Sequence, residues 1–168
     1  MVYKGVKVEG LSRQGDNSMP RKATMYLDTS SLNALIQEPA ERRETTSRFF
    51  SQVLPNYEAF ISELVLAEIG AAPDSELRDR LVKLVRPFQV LSVSSNAEAL
   101  SREYLKYLSI PEADALHLAV ASVEGINYFV TWNMRHIARE RTRRIVDNIN
   151  FLLGYSRIYI VTPDDFFD

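Results

Sequence analysis

The feature that most constrains this chain is an alternation: short apolar runs, each closing on a polar residue, take turns with longer stretches of helical apolar spacing. Met25-Tyr26-Leu27 runs into Asp28, after which Thr29, Ser30 and Ser31 offer caps for a helix carrying Leu32, Leu35 and Ile36. Pro39 separates that helix from a second stripe over 41–54, with Phe49, Phe50, Val53 and Leu54 on one side, which Pro55-Asn56 stops. Strand signals follow at 58–61, 88–93, 126–131 and 157–161. Between them lie a helix that Ser62 is placed to cap, and helical patterns over 74–86, 96–108, 113–123 behind Pro111, and a basic stretch over 134–153 that Gly154 closes. About five strands joined by helices require right-handed crossovers, so the expected class is α/β: a three-layer α/β/α domain with a mainly parallel central sheet. In such sheets ligands collect beyond the carboxyl ends of the strands, which directs attention to the residues that close each apolar run.

The length of 168 residues suits one core and one domain. Residues 1–23 carry scattered charge and glycine without a periodic apolar pattern, so they are expected to be an extension (a tag, an arm or a disordered segment) ahead of a folded domain over 24–168. No apolar signal core follows the first basic residues, and no run approaches the roughly 18 consecutive apolar residues of a membrane helix. With no cysteine to form disulfides or thiolate metal sites, the expectation is a soluble, cytoplasmic protein. The net charge of -2 excludes a global positive field, so any binding of nucleic acid must be local.

Four polar residues stand where chemistry is expected. Asp28 ends the first strand, Glu68 lies on the helix after the second, Asp114 begins an apolar helix, and Asn133 follows the strand at 126–131. The neighbours of Asp114 are small or apolar on nearly every side, and Val65, Leu66, Ala67 and Ile69 surround Glu68 in the same way. A carboxylate in such company is costly unless a cation compensates it. Oxygen ligands, no cysteine and two histidines favour magnesium or manganese (Mg2+, Mn2+) over zinc, and a phosphodiester is the natural substrate of such a site. Taken singly, Asp28 reads first as a helix cap and Glu68 as a solvated or arginine-paired side chain; the set is what points to a site.

These residues resemble the PIN-domain family, and within it the VapC-like toxins of toxin-antitoxin modules. The resemblance is carried by Met25-Tyr26-Leu27-Asp28-Thr29-Ser30-Ser31-Leu32, Ser62-Glu63-Leu64-Val65-Leu66-Ala67-Glu68-Ile69, Glu112-Ala113-Asp114-Ala115-Leu116-His117-Leu118-Ala119 and Thr131-Trp132-Asn133-Met134-Arg135-His136-Ile137, in the family's order. It implies a metal-dependent endoribonuclease with Asp28, Glu68 and Asp114 as the metal-site acids, products with a 5′ phosphate and a 3′ hydroxyl, a cognate antitoxin and a homodimer. Asn133 falls where many members have a further aspartate; an amide brings no charge, so one well-held ion is expected, with a two-metal mechanism left open. Ser30, Thr131, Arg135 and His136 are candidates to orient the acids or to touch substrate, which is single-stranded or structured RNA.

The arginines Arg135, Arg139, Arg141, Arg143 and Arg144 supply local positive charge, either for phosphates or as a solvated face with Glu140 and Asp147 as partners. His117 and His136 read first as structural imidazoles, and Trp132 as a packing residue rather than a base stacker. Phe49, Phe50, Val53, Leu54 and the Phe166-Phe167 end read as core before partner surface. The alternative is a catalytically inactive PIN-like module that binds RNA or protein. A phosphatase using Asp28 as nucleophile is disfavoured, because Ser30 stands where such enzymes have a second aspartate.

Overall fold

The computed structural model describes residues 21–37 and 39–167. The expected extension therefore lies outside the described residues except for 21–23, which already run beside the domain: Lys22 Nζ donates to the Pro55 carbonyl at 2.9 Å and Ala23 accepts from the Glu58 amide at 2.9 Å.

Five parallel strands, β1 (Thr24–Leu27), β2 (Glu58–Ser62), β3 (Gln89–Leu91), β4 (Tyr128–Val130) and β5 (Tyr159–Val161), form one sheet in the order β3-β2-β1-β4-β5. The central strand β1 pairs with both neighbours, Met25 facing Ala59 on one side and Tyr128 on the other. Met25, Tyr26 and Leu27 are fully buried, as an unbroken apolar run covered on both faces must be. The chain moves outward through β2 and β3, then crosses to the far side of β1 for β4 and β5, so the order reverses between β1 and β4. Loops leaving two such strands part from each other and open a crevice at their carboxyl ends.

Among the described residues seven α-helices lie between the strands: α1 (Thr29–Ala34), α2 (Ala40–Arg48), α3 (Glu63–Gly70), α4 (Ser75–Val85), α5 (Ser95–Leu105), α6 (Glu112–Val123) and α7 (Glu140–Leu153). Helix α6 buries Ala115, Leu118, Ala119 and Ala121, and the three alanines let α5 approach closely. A buried polar knot joins α5, α6 and α7: the Tyr104 hydroxyl donates to Asn150 Oδ1, and Ser122 Oγ lies 2.9 Å from both the Tyr104 hydroxyl and Asn150 Nδ2.

Several boundaries differ from those read in the sequence. Helix α7 starts at Glu140 rather than 134, because the Asn133 carbonyl accepts the Ile137 and Ala138 amides and holds 134–139 in turns. The stripe over 41–54 is not one helix: α2 passes into a π-helical turn at Phe49–Val53 and a 3-10 turn at Leu54–Asn56, which brings Phe49 into the core. Phe166 packs 5.3 Å from the Phe49 ring, so this aromatic group belongs to the domain's own interior. The strand expected over 88–93 shortens to Gln89–Leu91, an edge strand with one neighbour and solvent on its outer side. Gly154 caps α7 in the left-handed region at φ 79°, and Tyr155 donates back to the Asn150 carbonyl. Just before it, Phe151 and Leu152 stand 82% and 78% exposed. Among the described residues no helix is long and apolar enough to cross a membrane.

Candidate active site

Asp28 leaves the carboxyl end of β1 and caps α1 itself, the role the sequence suggested for it taken singly, while the hydroxyl residues after it, also offered as caps, turn to the Asp28 carboxylate. Its Oδ1 accepts the Ser31 amide at 3.0 Å, the Ser31 hydroxyl at 3.0 Å and the Ser30 hydroxyl at 2.7 Å; its Oδ2 accepts Thr131 Oγ1 at 2.6 Å. The same two hydroxyls accept from the loop after β4, Ser30 from the Trp132 amide and Thr131 from the Asn133 amide, both at 2.9 Å. Asp28 is thereby clamped across the β1-β4 divide with only 4% of its surface exposed. Burial pushes its carboxyl above the ordinary range, more than the Thr131 and Ser30 hydroxyls, the Ser31 amide and the nearby His117 pull it down.

Glu68 comes from the last turn of α3. The expected apolar surround of Glu68 does not hold: Val65 and Ile69 are buried, whereas Leu66, Ala67 and Glu68 face outward, the Glu68 side chain 39% exposed. Specific partners, not apolar crowding, place it. Oε2 accepts the Thr29 hydroxyl, and Oε1 pairs with His117 Nε2 at 2.9 Å. Burial acts against the charge, but the bond to His117, the field of that ring and the Thr29 hydroxyl together hold the carboxyl below its usual value.

His117 is 2% exposed, and beneath it Nδ1 meets the Tyr26 hydroxyl at 2.6 Å, which in turn lies 2.6 Å from Ser62 Oγ. Ser62 occupies the N-cap position of α3 but makes no side-chain cap bond; its hydroxyl serves the tyrosine instead. Burial raises the Tyr26 phenol far out of reach of ionisation, so it stays a neutral donor. A consistent proton order is Ser62 to Tyr26, Tyr26 to His117 Nδ1, and His117 Nε2–H to Glu68. Sequence reasoning missed Tyr26 and Ser62. The one available signal was a tyrosine two residues before the strand-ending acid, whose hydroxyl needs a partner once buried.

Asp114 sits in the first turn of α6, its side chain 17% exposed, and its Oδ2 accepts His136 Nδ1 at 2.9 Å and Asn133 Nδ2 at 3.1 Å. Asn133 Oδ1 accepts the His136 amide at 3.0 Å, so the asparagine fixes both the acid and its histidine. Asp28 is thus connected to Asp114 through Thr131 and Asn133, while Glu68 reaches α6 one turn further on at His117. Of the arginines, Arg135 and Arg139 are exposed; Arg141 donates to the Tyr107 carbonyl at 3.3 Å and Arg143 lies 3.9 Å from Asp165. Asp147 pairs with Arg157 rather than within the basic helix. Trp132 is half-buried, its Nε1 donating to Thr46 Oγ1 at 2.8 Å.

Among the described residues no three acidic or histidine side chains gather tightly enough to grip one ion. The donor set nevertheless fits a hard divalent cation in kind. Glu68 pairs with His117 and Asp114 with His136, Asp28 accepts hydroxyl and amide donors, and among the described residues no lysine or arginine ion pair reaches these carboxylates.

A PIN-domain family model matches residues 25–141 of the chain. No curated protein matches it in sequence. Among solved structures it is similar to VapBC-1 from nontypeable Haemophilus influenzae, with a TM-score of 0.58 at 16% identity over 83% of this chain and 98% of that one. A toxin-antitoxin complex from Klebsiella pneumoniae gives 0.56 at 18% identity, covering 83% and 97%. Mycobacterium tuberculosis VapC20, a sarcin-ricin loop cleaving toxin, gives 0.55 at 18% identity, covering 80% and 98%. At these identities the likeness is one of fold.

Proposed function

We infer, from the premise that this chain belongs to the PIN-domain family, that it is a divalent-metal-dependent endoribonuclease acting as the toxin of a type II toxin-antitoxin module. The observation that carries the reading is the support given to three carboxylates: Asp28 is joined to Asp114 through Thr131 and Asn133, Glu68 is tied to the same helix α6 through His117, and among the described residues no lysine or arginine ion pair reaches any of them. The toxin assignment is supported by the fold shared with VapBC structures. An antitoxin partner, a homodimer and a cytoplasmic location belong to the same proposal.

Asp28, Glu68 and Asp114 are the residues that would hold Mg2+ or Mn2+. When bound, such an ion supplies stabilisation of the charge that develops on phosphoryl oxygens. The protein's own groups do the positioning. Ser30 and Thr131 fix both oxygens of Asp28 and leave it no freedom to swing. Asn133 holds Asp114 through its amide and adds no charge, which favours one strongly held ion over two. His136 gives Nδ1 to Asp114, and its Nε2 has no partner among the described residues, so it is available to a phosphate oxygen of the RNA. Arg135, exposed on the same loop, is placed to contact a flanking phosphate.

One observation favours the second reading, a PIN-like binding module without catalysis: each of the three acids already has protein donors. Incubation with labelled RNAs in Mg2+ or Mn2+, against EDTA and against Asp28→Asn, separates the two. Cleavage to 5′-phosphate and 3′-hydroxyl ends, lost in EDTA and in the variant, is expected. Binding without cutting in any metal would leave only the module.

A further inference from the structure

The loop after β4 faces two ways. Its Trp132 amide donates to Ser30 Oγ, which donates to Asp28, so the tryptophan backbone is two hydrogen bonds from the acidic crevice. Its indole turns to the other side and lines a cleft of about 390 Å³ with Pro39, Glu41, Arg42, Thr45 and Asp164. That volume lies in the range of small-ligand pockets. The ring is held in place: Nε1 is tied to Thr46 and the Arg42 guanidinium lies 4.9 Å from the ring centroid. A tryptophan serving the interior alone would be covered, whereas this one is half-buried and presents its remaining surface to the cleft.

We propose that the cleft bounded by Trp132, Arg42, Thr45 and Asp164 is a nucleobase subsite for RNA, selective for guanine, next to the scissile position. The proposal rests on the ribonuclease reading of the neighbouring crevice. A fixed aromatic ring and a guanidinium plane form the platform on which an unstacked base lies, and a purine offers the larger face. The rest of the lining sets the choice of base. Glu41 and Asp164 are exposed carboxylates, and Asp164 Oδ1 already accepts the Thr162 hydroxyl, which leaves Oδ2 for a ligand. A carboxylate only accepts hydrogen bonds. Guanine presents two adjacent N–H donors on its Watson-Crick edge; adenine and cytosine set an amino group beside an acceptor, and uracil flanks its single N–H with two carbonyls that repel the anion. Thr45, half-buried on the cleft wall, adds a hydroxyl able to serve either sign.

Trp132 is the only tryptophan in the chain, so intrinsic fluorescence reports on this cleft directly. The full chain is titrated in EDTA with GMP, AMP, CMP and UMP. Saturable quenching by GMP is expected, about tenfold tighter than by UMP or CMP, with Asp164→Asn and Arg42→Gln each weakening GMP by about tenfold at unchanged circular dichroism and melting temperature. No saturable quenching by any nucleotide, equal quenching by all four, or an Asp164→Asn variant that binds GMP normally overturns the proposal. Cleavage assays run in parallel separate it from its premise. RNA cutting without GMP quenching removes the subsite and keeps the nuclease; GMP quenching without cutting supports the subsite and removes the nuclease.

Discussion

The carboxyls of Asp28 and Glu68 are shifted in opposite directions. The Glu68 carboxyl lies below its ordinary value of 4.5, so its ionised form stabilises the fold above that value, and the gain is lost as pH falls through the lower folded value. Glu68→Gln is therefore expected to be less stable than the parent at pH 7 in EDTA, with the difference closing below about pH 4 in denaturation curves. Asp28 has the reverse sign: its carboxyl is raised by burial, so the ionised form costs stability at neutral pH and the cost is relieved as pH falls through the raised value. A cation should offset that cost. Mg2+ is expected to raise the melting temperature of the parent and to leave Asp28→Asn unchanged, a scanning fluorimetry result independent of activity. Tyr26→Phe strands His117 Nδ1 and Ser62 Oγ in the interior and is expected to cost about 1–3 kcal/mol in urea unfolding. As candidates, Asp28 and Asp114 stood out because each ends or opens an apolar run. The support of Glu68 was not: the Tyr26–His117 bond spans 91 positions, and the same apolar spacing that places Tyr26 in a buried strand hides the destination of its hydroxyl.

Among the elements, those closed by local chemistry were the ones read correctly. Gly154 ends α7 because only a residue without Cβ adopts its φ of 79° cheaply, and Gly154→Ala is expected to cost about 1 kcal/mol in chemical denaturation. The start of α7 was misplaced because the apolar spacing of Met134 and Ile137 continues into the helix. What delays it is the Asn133 carbonyl and side chain capturing the amides of Ile137, Ala138 and His136. Helix α3 was misjudged for a related reason. Val65, Leu66, Ala67 and Ile69 look like a continuous apolar surround, yet α3 lies at one side of the sheet and needs only Val65 and Ile69 for its contact. Ser62 shows the limit of cap signals, since its hydroxyl is claimed by Tyr26 across the strand pair.

At the scale of the whole molecule, the parallel three-layer architecture followed from the alternation of runs, whereas the strand order did not, because right-handed crossovers permit β2 on either side of β1. Where β1 meets β4, Tyr26 and Phe129 stack with centroids 5.0 Å apart, both fully buried, and Phe129→Ala is expected to cost about 3–5 kcal/mol in equilibrium unfolding. The reversal of strand order there also distributes the acids. Asp28 comes from the middle of the sheet, Glu68 from the half built by β2 and β3, and Asp114 from the segment that crosses over to β4. A break in the connection over 106–111 would therefore divide the three between two polypeptides, two on the first and one on the second. Neither piece owns all three acids, so on the proposed function any catalytic output becomes a readout of their reunion, as in a split reporter.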